Sequence, residues 1–246
     1  MKTRINYFSV TAFIPALIIY TTCFGQTQSP GDFAVVNRTM SISNGQDGSP
    51  VIHLDERDGD GVAWITGKTF SRGAIEFNLR GKDVLQRSFV GIAFHGVNDT
   101  TYEVIYFRPF NFRATDPARK AHAVQYVALP KYDWVNLRDS FPGQYEKPLD
   151  PAPDPNDWFH VKVLAQNGQI SVFVNGKNTP ELVVRELVQL TGKKIGYWVG
   201  NGSGGDWKDL KLTEQKSSRL LKAYSPFVVV LTTSHSSALS ARKCRI

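Results

Sequence analysis

Trp158-Phe-His-Val-Lys-Val-Leu164, then Asn167-Gly168, then Gln169-Ile-Ser-Val-Phe-Val174 and Asn175-Gly176, is the stretch that decides the fold. Two runs rich in Val, Ile and Phe flank an Asn-Gly pair. That pattern predicts a β-hairpin, because both turn residues need a positive φ and Asn-Gly adopts it with least strain. The second Asn-Gly ends the return strand. Similar runs recur on either side: Gly73-Ala-Ile-Glu-Phe-Asn-Leu-Arg80, Phe89-Val-Gly-Ile-Ala-Phe94, Thr101-Tyr-Glu-Val-Ile-Tyr-Phe107, His122-Ala-Val-Gln-Tyr-Val-Ala128, Lys194-Ile-Gly-Tyr-Trp-Val199 and Trp207-Lys-Asp-Leu-Lys-Leu212. Gly, Pro, Asn and Asp separate them. Residues 181–190 are ambiguous, and no segment sustains a helical period. Many short strands between turns predict an all-β domain of two stacked antiparallel sheets, spanning about residues 31–213.

The longest irregular stretch, 129–157, holds Pro130, Pro142, Pro148, Pro151, Pro153 and Pro155, which cannot continue a central strand. Its aromatics Tyr132, Trp134, Phe141 and Tyr145 argue for an ordered loop. Loops of this length are commonly functional, so it is expected to roof a site on one sheet face.

The ends differ from the middle. Of the net charge of +7, residues 1–25 contribute +2 and residues 214–246 contribute +5, which leaves 26–213 neutral. A neutral domain lacks the basic field that phosphate backbones require, so no nucleic-acid partner is expected. Lys2 and Arg4 precede a dozen apolar residues, too few to span a bilayer, and small residues Cys23 and Gly25 stand at −3 and −1 before Gln26. Residues 1–25 therefore read as a signal peptide, giving a secreted or periplasmic protein without a transmembrane segment. Lipid attachment at Cys23 is the less favoured reading, since Tyr20-Thr21-Thr22 makes a poor lipobox. Residues 214–246 read as a basic tail, by default disordered. The two cysteines, Cys23 and Cys244, both lie outside the domain, which excludes an internal disulfide, a thiol nucleophile and a cysteine metal ligand.

The tryptophan-led strand, the hairpin and the strand ending in Val-Asn-Gly resemble the concanavalin-A-like (laminin-G-like) jelly roll. Gly192-Lys-Lys-Ile-Gly-Tyr-Trp-Val199 and Gly205-Asp-Trp-Lys-Asp-Leu-Lys-Leu212 resemble its closing strands. Gly73-Ala-Ile-Glu-Phe, Val90-Gly-Ile-Ala-Phe and Tyr102-Glu-Val are most similar to the 3-keto-disaccharide hydrolase domain family of secreted bacterial proteins. The resemblance covers about residues 50–213. It implies a carbohydrate or glycoside partner, acted on or merely bound, since such sandwiches serve enzymes, lectins and adhesion modules alike. The Glu-x-Asp-x-x-Glu strand of jelly-roll β-glucanases is absent: the corresponding strands offer Glu76 and Glu103 singly. Ordinary retaining hydrolysis needs two carboxyl groups about 5 Å apart, whereas a 3-keto glycoside needs one base and an oxyanion stabiliser.

The chemically dense segment runs from His95 to Glu146. Alternation puts Tyr102, Val104 and Tyr106 on one strand face and Glu103, Ile105 and Phe107 on the other. A carboxylate at 103 among apolar groups must be paired or have its pKa raised. It is either a structural partner of Arg108 or a site carboxylate in the concave face. The catalytic reading takes Glu103 or His95 as base and Arg108 as electrostatic stabiliser. Gln125, Tyr126, Trp134 and Arg138 would contact sugar, by stacking and by hydrogen bonds to hydroxyls. His95, His122 and His160 could each supply a base or a metal ligand. Structural roles compete for all of these: aromatics serve cores, and the three histidines lack close metal-ligand spacing. Asp55-Glu-Arg-Asp-Gly-Asp-Gly61 resembles a calcium loop, although an EF-hand is excluded because Gly67 stands where Glu is needed. A calcium ion on Asp58 and Asp60, or a solvated turn, are its two readings. Asn37-Arg-Thr39, Asn98-Asp-Thr100 and Asn201-Gly-Ser203 are glycosylation sequons, relevant only in a eukaryotic secretory pathway.

Overall fold

The computed structural model describes residues 29–215. The expected signal peptide with Cys23, and the tail beyond Gln215 with Cys244, lie outside the described residues.

Two seven-stranded antiparallel sheets make up the domain. The first contains β1 (Phe33–Val36), β4 (Gly61–Ile65), β13 (Lys194–Val199), β6 (Val90–Gly96), β7 (Tyr102–Phe107), β8 (Val124–Leu129) and β9 (Glu146–Lys147), in that spatial order. The second runs β12 (Leu182–Arg185), β11 (Gln169–Val174), β10 (Phe159–Gln166), β5 (Gly73–Arg80), β14 (Ser203–Glu214), β3 (Pro50–Arg57) and β2 (Met40–Asn44). Sequence neighbours often lie in different sheets, as in a jelly-roll sandwich. The decisive hairpin forms as expected, with β10 and β11 paired from Val161↔Val174 to Gln166↔Gln169. Asn167 and Gly168 take φ of 54° and 73° at its turn. The ambiguous 181–190 segment supplies the edge strand β12.

Strand alternation sorts the first sheet into two faces. One row across it, Ala63–Tyr197–Ile92–Ile105–Tyr126, faces the second sheet and is buried. Tyr197 stacks on Trp207 of β14 at 5.2 Å between centroids, and the Trp207 indole donates to the Gly91 carbonyl at 3.0 Å. The neighbouring row, Val62–Trp198–Gly91–Tyr106–Gln125–Glu146, faces away from the second sheet. Gly91 has no side chain between its two aromatic neighbours. Trp198 and Tyr106 therefore meet above it, 5.2 Å apart.

Three connections between the sheets are gathered by one side chain. Arg38, in the β1–β2 crossing, donates to Gly59 (2.7 Å) in the β3–β4 crossing. It also reaches Gly200 (2.9 Å) and Ser203 (3.3 Å) at the β13–β14 crossing.

Short helices interrupt the strands where an irregular chain was expected. α1 (Pro109–Phe112) and α2 (Pro117–Lys120) follow β7, each starting with proline at the first turn, where its missing N–H costs nothing. α3 (Trp134–Ser140) lies within the 129–157 stretch. Its N-cap Asp133 accepts from the Asn136 N–H at 2.8 Å. At seven residues it is too short to announce itself by period.

Candidate functional site

A groove of about 1000 Å³ lies on the outward face of the first sheet. Its floor is Tyr102 and Tyr106 of β7, Val127 of β8, Val62 of β4 and Trp198 of β13. Phe89 flanks the floor, and Trp134 and Arg138 of α3 form a wall. Asp60, Gly200 and Asn201 also line it, while Arg108, Asn111, Arg119 and His122 come from the segment around α1 and α2. The 129–157 stretch, expected to roof a site, contributes Leu129, Pro130, Asp133, Trp134 and Arg138 to the lining.

Below the surface of this groove is a linked polar set. Arg108 donates to the Tyr106 hydroxyl at 2.6 Å and to Gln125 Oε1, and Tyr106 donates to the same oxygen at 2.8 Å. Two donors on one oxygen fix the amide orientation, leaving Gln125 Nε2 buried with no acceptor. Burial pushes Arg108 below the usual guanidinium range, with Tyr106 and Glu146 pulling the other way. Burial also pushes the Tyr106 phenol up to about 12, against the pull of Arg108.

Glu146 gathers three cationic or basic groups. Arg138 holds it in a fork, with Nε at 3.0 Å from Oε1 and Nη2 at 2.9 Å from Oε2. Arg108 Nη1 is 3.8 Å from Oε2 and His122 Nδ1 is 2.8 Å from the same atom. Glu146 is buried, while His122 is partly open to the groove. Burial lowers the His122 pKa from 6.5; Glu146 opposes that shift and Arg138 and Arg108 add to it. The imidazole is thereby kept neutral at neutral pH. Arg138 also lies over the Trp134 ring, 5.1 Å from its centroid.

Of the residues anticipated from sequence, Arg108, His122, Trp134, Arg138 and Asp60 line the groove. The others do not. Glu103 alternates to the opposite face, is 0 % exposed, and stands near His95 (Nδ1 to Oε1, 3.4 Å) rather than Arg108. The expected Glu103–Arg108 pair and a Glu103 base in the groove are therefore both corrected: the sheet separates them. His95 joins Glu103 because β6 bulges there, Phe94 and His95 together facing the single Ile195 of β13, and His95 at φ 51° breaks the alternation. Tyr126 belongs to the inter-sheet row, and its hydroxyl accepts from the Leu187 N–H at 3.3 Å. Gln125 faces the right way but is fully buried and positions Arg108 instead of touching a ligand.

The calcium reading of Asp58 and Asp60 also changes. The Asn37 amide donates to both their carbonyls at 2.9 Å, and Arg38 takes the Gly59 carbonyl between them. A guanidinium among the loop's carbonyls supplies the positive charge that a metal ion would bring. Burial raises Asp60 from 3.8, with Arg38 opposing.

His122 is one of the three histidines read as able to supply a base, while Glu146 is anticipated only as part of the dense segment. The signal that could have found them was the outward face carrying Tyr102 and Tyr106, whose row continues through Gln125 to Glu146.

No family model matches the chain, and no curated protein matches it. Solved structures do. The β-glucanase of Bacillus licheniformis is 14% identical, with a TM-score of 0.49, over 78% of this chain and 95% of that one. The carbohydrate-binding module CBM66 from Bacillus subtilis is 13% identical, with a TM-score of 0.47, over 72% and 94%. The exoplasmic/lumenal domain of VIP36, in its Ca2+/Man3GlcNAc-bound form, is 13% identical with a TM-score of 0.47, over 77% and 88%.

Proposed function

We propose that this domain binds a carbohydrate in the outward groove of its first sheet. The observation that carries the reading is the groove's lining: aromatic plates from Tyr102, Tyr106, Trp134 and Trp198 beside Arg108, Arg138, His122 and Asn201. Apolar sugar faces stack on such rings, while the charged and amide groups bind hydroxyls. The signal-like N-terminus supports exposure to extracellular or periplasmic glycans.

A second reading is favoured by the contact of His122 with Glu146. Nδ1 lies 2.8 Å from the buried carboxylate without hydrogen-bond alignment; a proton placed there would leave the Nε2 lone pair for general-base work. On a glycoside already oxidised at C3, that base removes the C2 proton. The electron pair forms the C1–C2 double bond as the C1–O bond breaks, the leaving group takes up a proton, and water then adds. Arg108 would offset charge developing on the C3 oxygen. This agrees with the sequence resemblance to 3-keto-disaccharide hydrolases and with the missing carboxylate pair.

The test is incubation of the purified protein with plain and 3-keto glycosides, alongside calorimetric titration with glycans. Release of sugar from the keto substrate alone supports elimination. Binding without turnover selects the module. Neither binding nor turnover across a broad glycan set overturns the carbohydrate reading.

A further inference from the structure

On the other side of the first sheet, His95, Glu103 and Glu186 bring one ligand atom each within 4.8 Å of one another. Three features separate this cluster from an incidental group of acids. Glu103 is sealed from solvent, and neither of its carboxylate oxygens accepts a hydrogen bond of normal geometry. The groups around it are His95, the Tyr126 hydroxyl and Glu186. A buried carboxylate left in that condition is costly unless something positive completes its surroundings. His95 Nε2 is 2.9 Å from the Ser71 carbonyl, which can only accept, so the ring proton is on Nε2. In the neutral imidazole this puts the lone pair of Nδ1 on the side of Glu103, 3.4 Å from Oε1. A carbonyl fixing the far ring nitrogen is the usual outer support of a metal-bound histidine. The ring is further clamped by Phe70, stacked at 5.8 Å, and by Phe94 edge-on at 4.9 Å.

The β-bulge has a purpose in this light. Without it, His95 would point into the groove; with it, the imidazole joins two carboxylates between the sheets. Glu186 follows β12 and is only half-buried, so the cluster has a route to solvent through it.

We propose that His95, Glu103 and Glu186 form a binding site for one divalent first-row transition ion, of the zinc or manganese kind. One imidazole and two carboxylates suit such an ion, with water or the nearby Tyr126 oxygen completing its coordination. Calcium and magnesium favour all-oxygen sets and fit less well. The ion would tie β6, β7 and the segment after β12 together at one end of the sandwich, a structural role distinct from the groove chemistry.

The full-length protein, stripped with a chelator and dialysed, is titrated with zinc chloride and separately with manganese chloride by calorimetry, and its melting temperature is followed. The expected result is one ion per chain with micromolar or tighter affinity. The melting temperature should climb with metal concentration, as binding to the native state alone requires. Glu186→Gln, chosen because its half-exposed position spares the core, should weaken binding at least about tenfold. Its metal-free melting temperature should stay near that of the parent. If His95 and Glu103 are instead a closed ion pair, neither metal will bind in a one-to-one ratio or move the melting temperature. That outcome, or equal binding by parent and Glu186→Gln, overturns the proposal.

Discussion

Trp134 is the most exposed aromatic of the groove, half open to solvent, and its ring lies under the Arg138 guanidinium. Its removal should therefore act on ligand rather than on fold. Trp134→Ala is expected to weaken glycan binding by roughly two- to tenfold, the range of one lost ring contact of about 0.5–1.5 kcal/mol. The unfolding free energy should shift by no more than about 0.5 kcal/mol. Calorimetry and a denaturant melt separate the two. His122 makes a pH prediction. Because burial depresses its pKa below 6.5, the base form persists through neutral pH and is lost only as pH falls through that lowered value. Turnover of a 3-keto glycoside should decline on the acid side with a midpoint below 6.5. Glu146→Gln removes the charge that favours His122 protonation, so the midpoint should move further down, and the overall rate should fall by about tenfold or more. A midpoint that rises in Glu146→Gln contradicts the pairing.

Among elements, the central strands β6, β7 and β13 set the groove floor, and their geometry depends on a residue with no side chain. A Cβ at Gly91 would stand 2.1 Å from the Ile105 carbonyl oxygen and 2.8 Å from the Tyr106 Cβ. Gly91→Ala must push β6 from β7 or displace Tyr106 from Trp198. It should cost about 1–3 kcal/mol of stability and weaken glycan binding at the same time, which parallel melts and titrations will show. The hairpin was legible because Asn167-Gly168 states its turn in local chemistry. The strand from 101 to 107 disclosed its two faces by alternation, but not which face would be covered by the second sheet. That choice depends on pairing partners far along the chain, and it decided against Glu103. His95 was beyond reach for another reason, since a single-residue bulge reverses its direction and has no clear signature in sequence. The three strands β1 to β3 are hard to read because polar residues and one-sided burial blur their alternation. α3, a two-turn helix, has too few residues for a period.

For the molecule as a whole, the sandwich is neutral and the basic excess belongs to the ends. A fragment of residues 26–215 adds only Glu214 to the neutral stretch. It should migrate far from the parent's basic isoelectric point and show no salt-sensitive retention on immobilised DNA. Retention that weakens steeply with salt would place a basic field on the sandwich itself.

Arg38 does not line the groove, yet the three corners that it fastens include those bearing Asp60, Gly200 and Asn201, which do. The opening is thus calibrated from behind, as the bore of a pipe is set by its clamp. Corners held firmly set the width that a ligand meets along that wall, whereas slack ones would let it vary. One guanidinium remote from any sugar can decide between the two.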